Sequence, residues 1–384
     1  MDIILMVGVI LIVSALSCKL LGKIGLPTLV GFILIGVIIR NLFNFDSVDM
    51  ATVDSICTFA LLLIVFTGGF QTNFSEAKPV LAVSSVLSVA GTLLTAALAG
   101  SFAYFILGLE FYPSILLGVI ISSTDVASVS SVLRSRNIEL KHNLGSVLEI
   151  ESGSNEPFAH ILTVVLIALA VGAGNAPLLL VTEIFFGVVA GVLISKFGRI
   201  LINRLNVEMD NVYGVLLCGV AFLIFGVASF FHGSGFLAVY IGGLILGNGK
   251  LVHKGSLSKL YSVISMLMQI LLFIILGMLF VPTGVVTVIG SALLFALFLF
   301  FVARPLVVFA LMKPFKHKLN EIAFVSWAGF RGAASIVFAT HLLTENLPYA
   351  TDVFNIVFFV CMLSAILQSP FIVPIANKLK LHDD

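Results

Sequence analysis

The chain is poor in charge. Lys, Arg, Asp and Glu make up only 10% of its 384 residues, where soluble domains carry roughly 25%. Neither sign dominates, with 20 basic and 19 acidic side chains and a formal net charge of +1. That balance excludes a nucleic-acid binder with a basic face, and the low charge excludes a disordered chain. Tryptophan occurs once, against 34 phenylalanines. The four cysteines, Cys18, Cys57, Cys218 and Cys361, lie far apart inside apolar runs without a CxxC pair. Neither a disulfide framework nor a zinc site fits that spacing, and they read as small buried hydrophobes. What is present is apolar: 60% hydrophobic residues and a mean hydropathy of +1.20. A soluble fold of this size cannot hide so much apolar surface beneath a polar exterior. A soluble enzyme is thereby excluded, and the chain reads as an all-α polytopic membrane protein.

A bilayer core takes about 20 apolar residues per helix. Such runs fall at 3–18, 26–41, 52–70, 80–107, 112–133, 144–170, 178–202, 211–231, 235–248, 258–280, 284–312, 320–343 and 351–377, giving an expected thirteen spans. No basic segment precedes the apolar part of the first run, so it is expected to be a membrane helix and not a cleaved signal peptide. Seventeen of the twenty basic residues lie in the odd-numbered loops and the C-terminal tail, and the even-numbered loops hold only Arg40. The positive-inside rule then places the N-terminus outside and the C-terminus in the cytoplasm. Two arginines fall within apolar runs. Arg304, followed by Pro305, is expected to snorkel from its helix end. Arg331, in WAGFRGAAS, is too deep to do so.

An offset of 207 residues places GFILIGVIIRN (31–41) over AVYIGGLILGN (238–248), with Gly36 on Gly243 and Asn41 on Asn248. Six spans, a linking seventh and six more would leave two oppositely oriented halves, the arithmetic of an inverted repeat with a midplane site and broken helices. The same offset sets Thr124 of SSTDVAS against Arg331 of GFRGAAS.

Ionisable side chains inside a span cost about 2.5–3.5 kcal/mol each on insertion scales, so they are functional candidates. Asp125 follows Ser122, Ser123 and Thr124, a hydroxyl run able to bond backbone carbonyls and interrupt a helix. In the sixth span, ESGSNEP pairs Glu151 with Asn155 and Ser152 with Glu156 at one-turn spacing before Pro157 removes a backbone donor. Asp125 and Glu156, with oxygens of Ser152 and Thr124 nearby, form a hard-oxygen site suited to a small cation and equally to protons. Glu151 is expected to pair with Arg331. One basic group cannot neutralise three mid-span acids, which leaves Asp125 and Glu156 for mobile ions. His160, one turn beyond Glu156, reads as a packed or hydrogen-bonded residue, with a proton relay as the alternative. Thr67 and Gln71 of FTGGFQT either line an entrance or mark a helix end. GFLAVYIGGLILGNG and LAGSFA read as close helix packing.

With SSTDVASVSSVLR, LEIESGSNEP, WAGFRGAAS and SGFLAVYIGGLILGN in view, the chain resembles the cation:proton antiporters of the NhaP and sodium/hydrogen-exchanger type over nearly its whole length. The form LEIESGSN is most similar to the bacterial potassium/proton branch. The resemblance implies thirteen helices, a homodimer in a bacterial or archaeal cytoplasmic membrane, and no cofactor or nucleic-acid partner. It implies a dimerisation part (1–78 and 205–281), a moving ion-transport core (79–170 and 284–378) and a linker helix (178–202). By the same resemblance Asp125, Ser152 and Glu156 are ligands for K+ or Na+ and for H+, with a main-chain contribution from Thr124. Asn155 ties the Thr124 segment in place, and its neutrality implies electroneutral exchange. Two departures stand out: Glu156 replaces the family's usual Asp, and Thr67 replaces a carboxylate often found before Gly-Gly in the third span. The chain is expected to carry no cytosolic regulatory domain. The expected activity is cation:proton antiport by alternating access, with a cation channel or gated potassium-efflux pathway as the alternative.

Overall fold

The computed structural model describes residues 3–24, 28–43, 49–125, 129, 133, 138–172, 175–205, 210–280 and 282–382. The described chain is helical. The first three helices are α1 (Ile3–Ile24), α2 (Thr28–Phe43) and α3 (Met50–Gln71). Next come α4 (Phe74–Phe105), α5 (Phe111–Ser122), α6 (Leu144–Ala170) and α7 (Ala176–Arg204). After α8 (Asp210–Phe230), α9 (Gly235–Asn248) and α10 (Lys254–Leu279), helix α11 covers 282–312 and contains a π turn at Leu299–Ala303. The chain closes with α12 (Leu319–Trp327), α13 (Ala333–Thr344) and α14 (Ala350–Lys378).

Eight of these helices are long and apolar enough to cross a membrane, and five more are apolar helices of 10–17 residues. The protein is an integral membrane protein. Each apolar run found in the sequence falls on one of them, with two qualifications. The fifth run, 112–133, passes beyond Asp125 into residues mostly outside those described, and the twelfth, 320–343, is divided between α12 and α13. Helix starts recur close to the offset of 207: α1 and α8, α2 and α9, α5 and α12, α6 and α14 correspond within a residue or two.

In lipid, apolar side chains give helices no reason to associate, so close backbone approach does the work. Helix α2 lies against α10 through Gly36 and Gly277. A Cβ at Gly36 would stand 2.1 Å from the Ile274 carbonyl oxygen, and one at Gly277 would stand 2.2 Å from that of Ile33. Helix α9 meets α3 in the same manner, with Gly243 on the Phe66 carbonyl and Gly247 on that of Phe70. Asp49 starts α3 by accepting from the N–H groups of Ala51 and Thr52. Its bond from the Thr52 hydroxyl, together with those N–H groups, holds this carboxyl below the usual range. Helix α7 displays Leu178, Val181, Phe185, Leu193 and Phe197 to the surroundings, as lipid contact requires.

Candidate ion-binding site

Two helices stop short in the interior. In α5 the Ser122 hydroxyl donates to the Val119 carbonyl at 2.6 Å, and Ser123 turns extended at φ −62°, ψ 141°. The chain between α12 and α13 runs extended through Gly332, at φ −126°, ψ −163°. The two breaks touch: the Asp125 N–H donates to the Phe330 carbonyl at 2.9 Å. A Cβ at Gly332 would lie 2.4 Å from both the Asp125 Cβ and Oδ2. Only glycine fits there. The Asp125 carboxyl therefore sits at the N-terminal end of α13, where free N–H groups and the helix dipole favour negative charge.

Helix α6 fastens the first break. Asn155 Nδ2 donates to Thr124 Oγ1 at 2.7 Å, and the Thr124 N–H donates to Asn155 Oδ1 at 3.3 Å. The Ser152 hydroxyl donates to the Thr124 carbonyl. Gly153, between these residues, admits the Tyr240 ring to within 2.6 Å of where a Cβ would stand. The one-turn spacing of Ser152, Asn155 and Glu156 thus presents an anchor for the Thr124 backbone and a carboxylate one position further on.

Asp125 and Glu156 line one small cavity. Asp125 is 9% exposed, and Glu156 is partly exposed. Ala333 and Ala334 of α13 complete their side of it, and Leu29, Leu61, Ile64, Gln269 and Phe273 face them from α2, α3 and α10. Gln269 is the polar wall residue that the sequence reading missed. It stands in ISMLMQILLF as the one strongly polar side chain, and attention to ionisable groups alone passed it over.

The two arginines exchange expected roles. Glu151, 1% exposed, binds Arg304, with Nη1 to Oε1 at 2.5 Å and Nη2 to Oε2 at 3.0 Å. Arg304 does not snorkel; it is 3% exposed. A π turn, which inserts an extra residue into the helix, comes just before it. Gly329 packs against its guanidinium. Arg331, the expected partner of Glu151, instead donates through Nη1 to the carbonyls of Ser122 at 2.7 Å and Ser123 at 3.0 Å. The last carbonyls of a helix have no intrahelical partner, and a cation there also answers the negative end of the dipole.

Thr67 and Gln71 do not border the cavity. Thr67 is buried and donates to the Leu63 carbonyl at 2.7 Å. Gln71 is exposed and ties α3 to α10 through the Ser258 carbonyl and Ser262 Oγ. Gln71 is the last residue of α3, and Thr67 lies one turn before it.

Residues 9–378 match the family described as "Sodium/hydrogen exchanger, transmembrane". The chain belongs to the sodium/hydrogen exchanger family. Within that family it is 32% identical to the K(+)/H(+) antiporter NhaP of Alkalimonas amylolytica, across 99% of this chain and 67% of the relative. The same identity relates it to the K(+)/H(+) antiporter NhaP2 of Shewanella oneidensis, across 96% of this chain and 66% of the relative. The chain thus spans about two thirds of the length of those relatives. It covers 98% of the Probable Na(+)/H(+) antiporter 2 of Methanocaldococcus jannaschii, at 27% identity. The fold matches the structure of the sodium proton antiporter MjNhaP1 from Methanocaldococcus jannaschii, with a TM-score of 0.85 over 98% of each chain and 23% identity. The sodium/hydrogen exchanger family is a family of transporters and not of enzymes.

Proposed function

We propose that this protein is a secondary antiporter, exchanging a monovalent cation, K+ or Na+, for H+ across the membrane. The observation that carries the reading is the single cavity holding both Asp125 and Glu156 beside the crossed breaks. Two ionised carboxylates between apolar walls are costly unless neutralised. Protons can discharge them, and so can a small cation with oxygen ligands. The site is then most readily carried past its apolar wall when one species or the other is aboard, which couples the two fluxes. Ser152 and Thr124 act by shaping the pocket: the Ser152 hydroxyl and the Asn155 amide hold the Thr124 segment that carries Asp125.

In this reading 79–170 and 284–378 form the moving core, 1–78 and 205–281 form the wall and the dimer contact, and 178–202 links them. The glycine-mediated pairs α2 with α10 and α3 with α9 support a separate wall unit. The recurrence of helix starts at the offset of 207 supports two inverted copies. The basic residues of the odd loops support a cytoplasmic C-terminus. Neutral Asn155 beside the carboxylates supports one-for-one, electroneutral exchange. The relatives above are named as antiporters, which does not favour the channel alternative.

The test is a dye-based proton-flux assay in proteoliposomes with lithium, sodium, potassium and rubidium in turn. Cation-dependent proton movement is expected with at least one of them. Cation flux without proton counter-movement would sink the reading.

A further inference from the structure

One group of titratable side chains lies outside the lining of the cavity that holds Asp125 and Glu156. His341, in the last turn of α13, places Nδ1 3.0 Å from Asp54 Oδ1. The Thr340 hydroxyl donates to the same oxygen at 2.9 Å. The ring of His341 lies 5.4 Å, centroid to centroid, from that of His160 on α6. His160 in turn stands one turn from Glu156 along that helix. Four titratable groups thus run in series from the cavity to the membrane face where α3 begins and α13 ends. At that face the side chains of Asp54 and His341 are 20% and 19% exposed.

Packing alone explains part of this. His160 meets Phe236 and Phe338 edge to face, at 4.7 and 5.3 Å. It does not explain the nitrogens. His160 Nδ1 and His341 Nε2 are both buried without a hydrogen-bond partner, and buried polar atoms in a settled core are almost always paired. Two neighbouring imidazoles each keep one nitrogen unengaged, and their rings are 5.4 Å apart, a gap that one water can bridge. The titratable groups around the pair are Asp54 and Cys57 from α3 and Glu156 from α6; α9 and α13 present Phe236 and Phe338.

We propose that Asp54, His341 and His160 form a proton wire between Glu156 and the face at which α3 begins. A proton taken from water by Asp54 passes to His341 Nδ1. His341 releases its other proton from Nε2 to His160 Nδ1, and His160 releases one from Nε2 through a water to the Glu156 carboxylate. Each imidazole gains at one nitrogen what it loses at the other, so its charge is unchanged once its tautomer resets. The charge pattern of the loops assigns this face to the outside. The wire rests on the antiport reading of the same site.

The test uses the full chain in proteoliposomes, comparing His160→Asn, His341→Gln and Asp54→Asn with the unmodified protein. Exchange is measured against pH on the Asp54 face, with the apparent KM for Na+ and K+. Loss of a positioned proton carrier predicts a roughly 10–100-fold fall in maximal rate, with KM held within about twofold. It further predicts that imidazole added on that face restores flux to His341→Ala in proportion to its concentration. Thermal unfolding and gel filtration establish that each variant is folded, and Asp54→Asn, at the exposed end, carries the same expectation if a histidine variant does not fold. Rates within about twofold of the unmodified protein in folded variants would overturn the wire alone. So would rate and KM falling together without imidazole rescue. No flux in the unmodified protein would overturn antiport and the wire with it.

Discussion

At the scale of single residues, the site divides into side chains that carry charge and side chains that hold backbone. Asp125→Asn removes a charge while keeping the shape of the crossing, so cation-dependent proton flux should vanish with the unfolding temperature little changed. Flux retained in that variant would remove Asp125 from the site. Glu156→Asp shortens the reach by one methylene, and some activity should survive with an altered order among lithium, sodium and potassium in the same assay. The pair of Arg304 with Glu151 is structural and buried on both sides. Breaking such a pair from one side costs about 3–5 kcal/mol, so Arg304→Ala should lower the unfolding temperature sharply in detergent. Arg304→Met with Glu151→Leu should recover much of that loss. How the residues met their expectations follows from distance along the chain. The tie of Asn155 to Thr124 was implied by the resemblance to the NhaP and sodium/hydrogen-exchanger antiporters, whereas the bond from Ser152 to the Thr124 carbonyl was not expected. The partner of Glu151 was not legible, because two arginines were candidates. A π turn in α11 and free carbonyls at the end of α5 decided between them, and neither leaves a mark in hydropathy.

Among elements, the decisive feature is close approach. Gly332 sits against Asp125 where the two breaks cross, so Gly332→Ala should separate the breaks and abolish exchange in a protein that still inserts and folds. A variant with full activity would show that the crossing tolerates a methyl group. Gly277→Val would drive a branched side chain into the Ile33 carbonyl. Overpacking of this kind costs about 1–3 kcal/mol, and a fall in thermal stability in detergent would register it. The helices themselves were plain in the sequence, since runs of apolar residues bounded by charged loops have few other solutions. The interruption of the twelfth run was not, because the small residues of FRGAAS suit a packed helix equally well. The break between α12 and α13 comes from tertiary partners: the Ser364 hydroxyl accepts the Arg331 N–H, and Asp125 donates to Phe330.

For the whole molecule, the proposal makes two physical demands. One-for-one exchange moves no net charge, so flux in vesicles should not respond to an imposed potential; a clear response would refute the electroneutral stoichiometry. A dimer should show twice the 41.0 kDa chain mass in light scattering once detergent is subtracted. The amount of this visible beforehand was uneven. Alternating loop charge set the expected topology, whereas the meeting of α2, α3 and α10 with Asp125, α6 and α13 around one cavity needed coordinates. The joint between the two interrupted helices has one more implication. It is made by main-chain atoms, the N–H of residue 125 and the oxygen of residue 330, and no replacement other than by proline deletes such atoms. Ligand chemistry can therefore drift over generations while the scaffold keeps its alignment. A lineage that comes to prefer potassium and one that comes to prefer sodium need not differ in architecture at all.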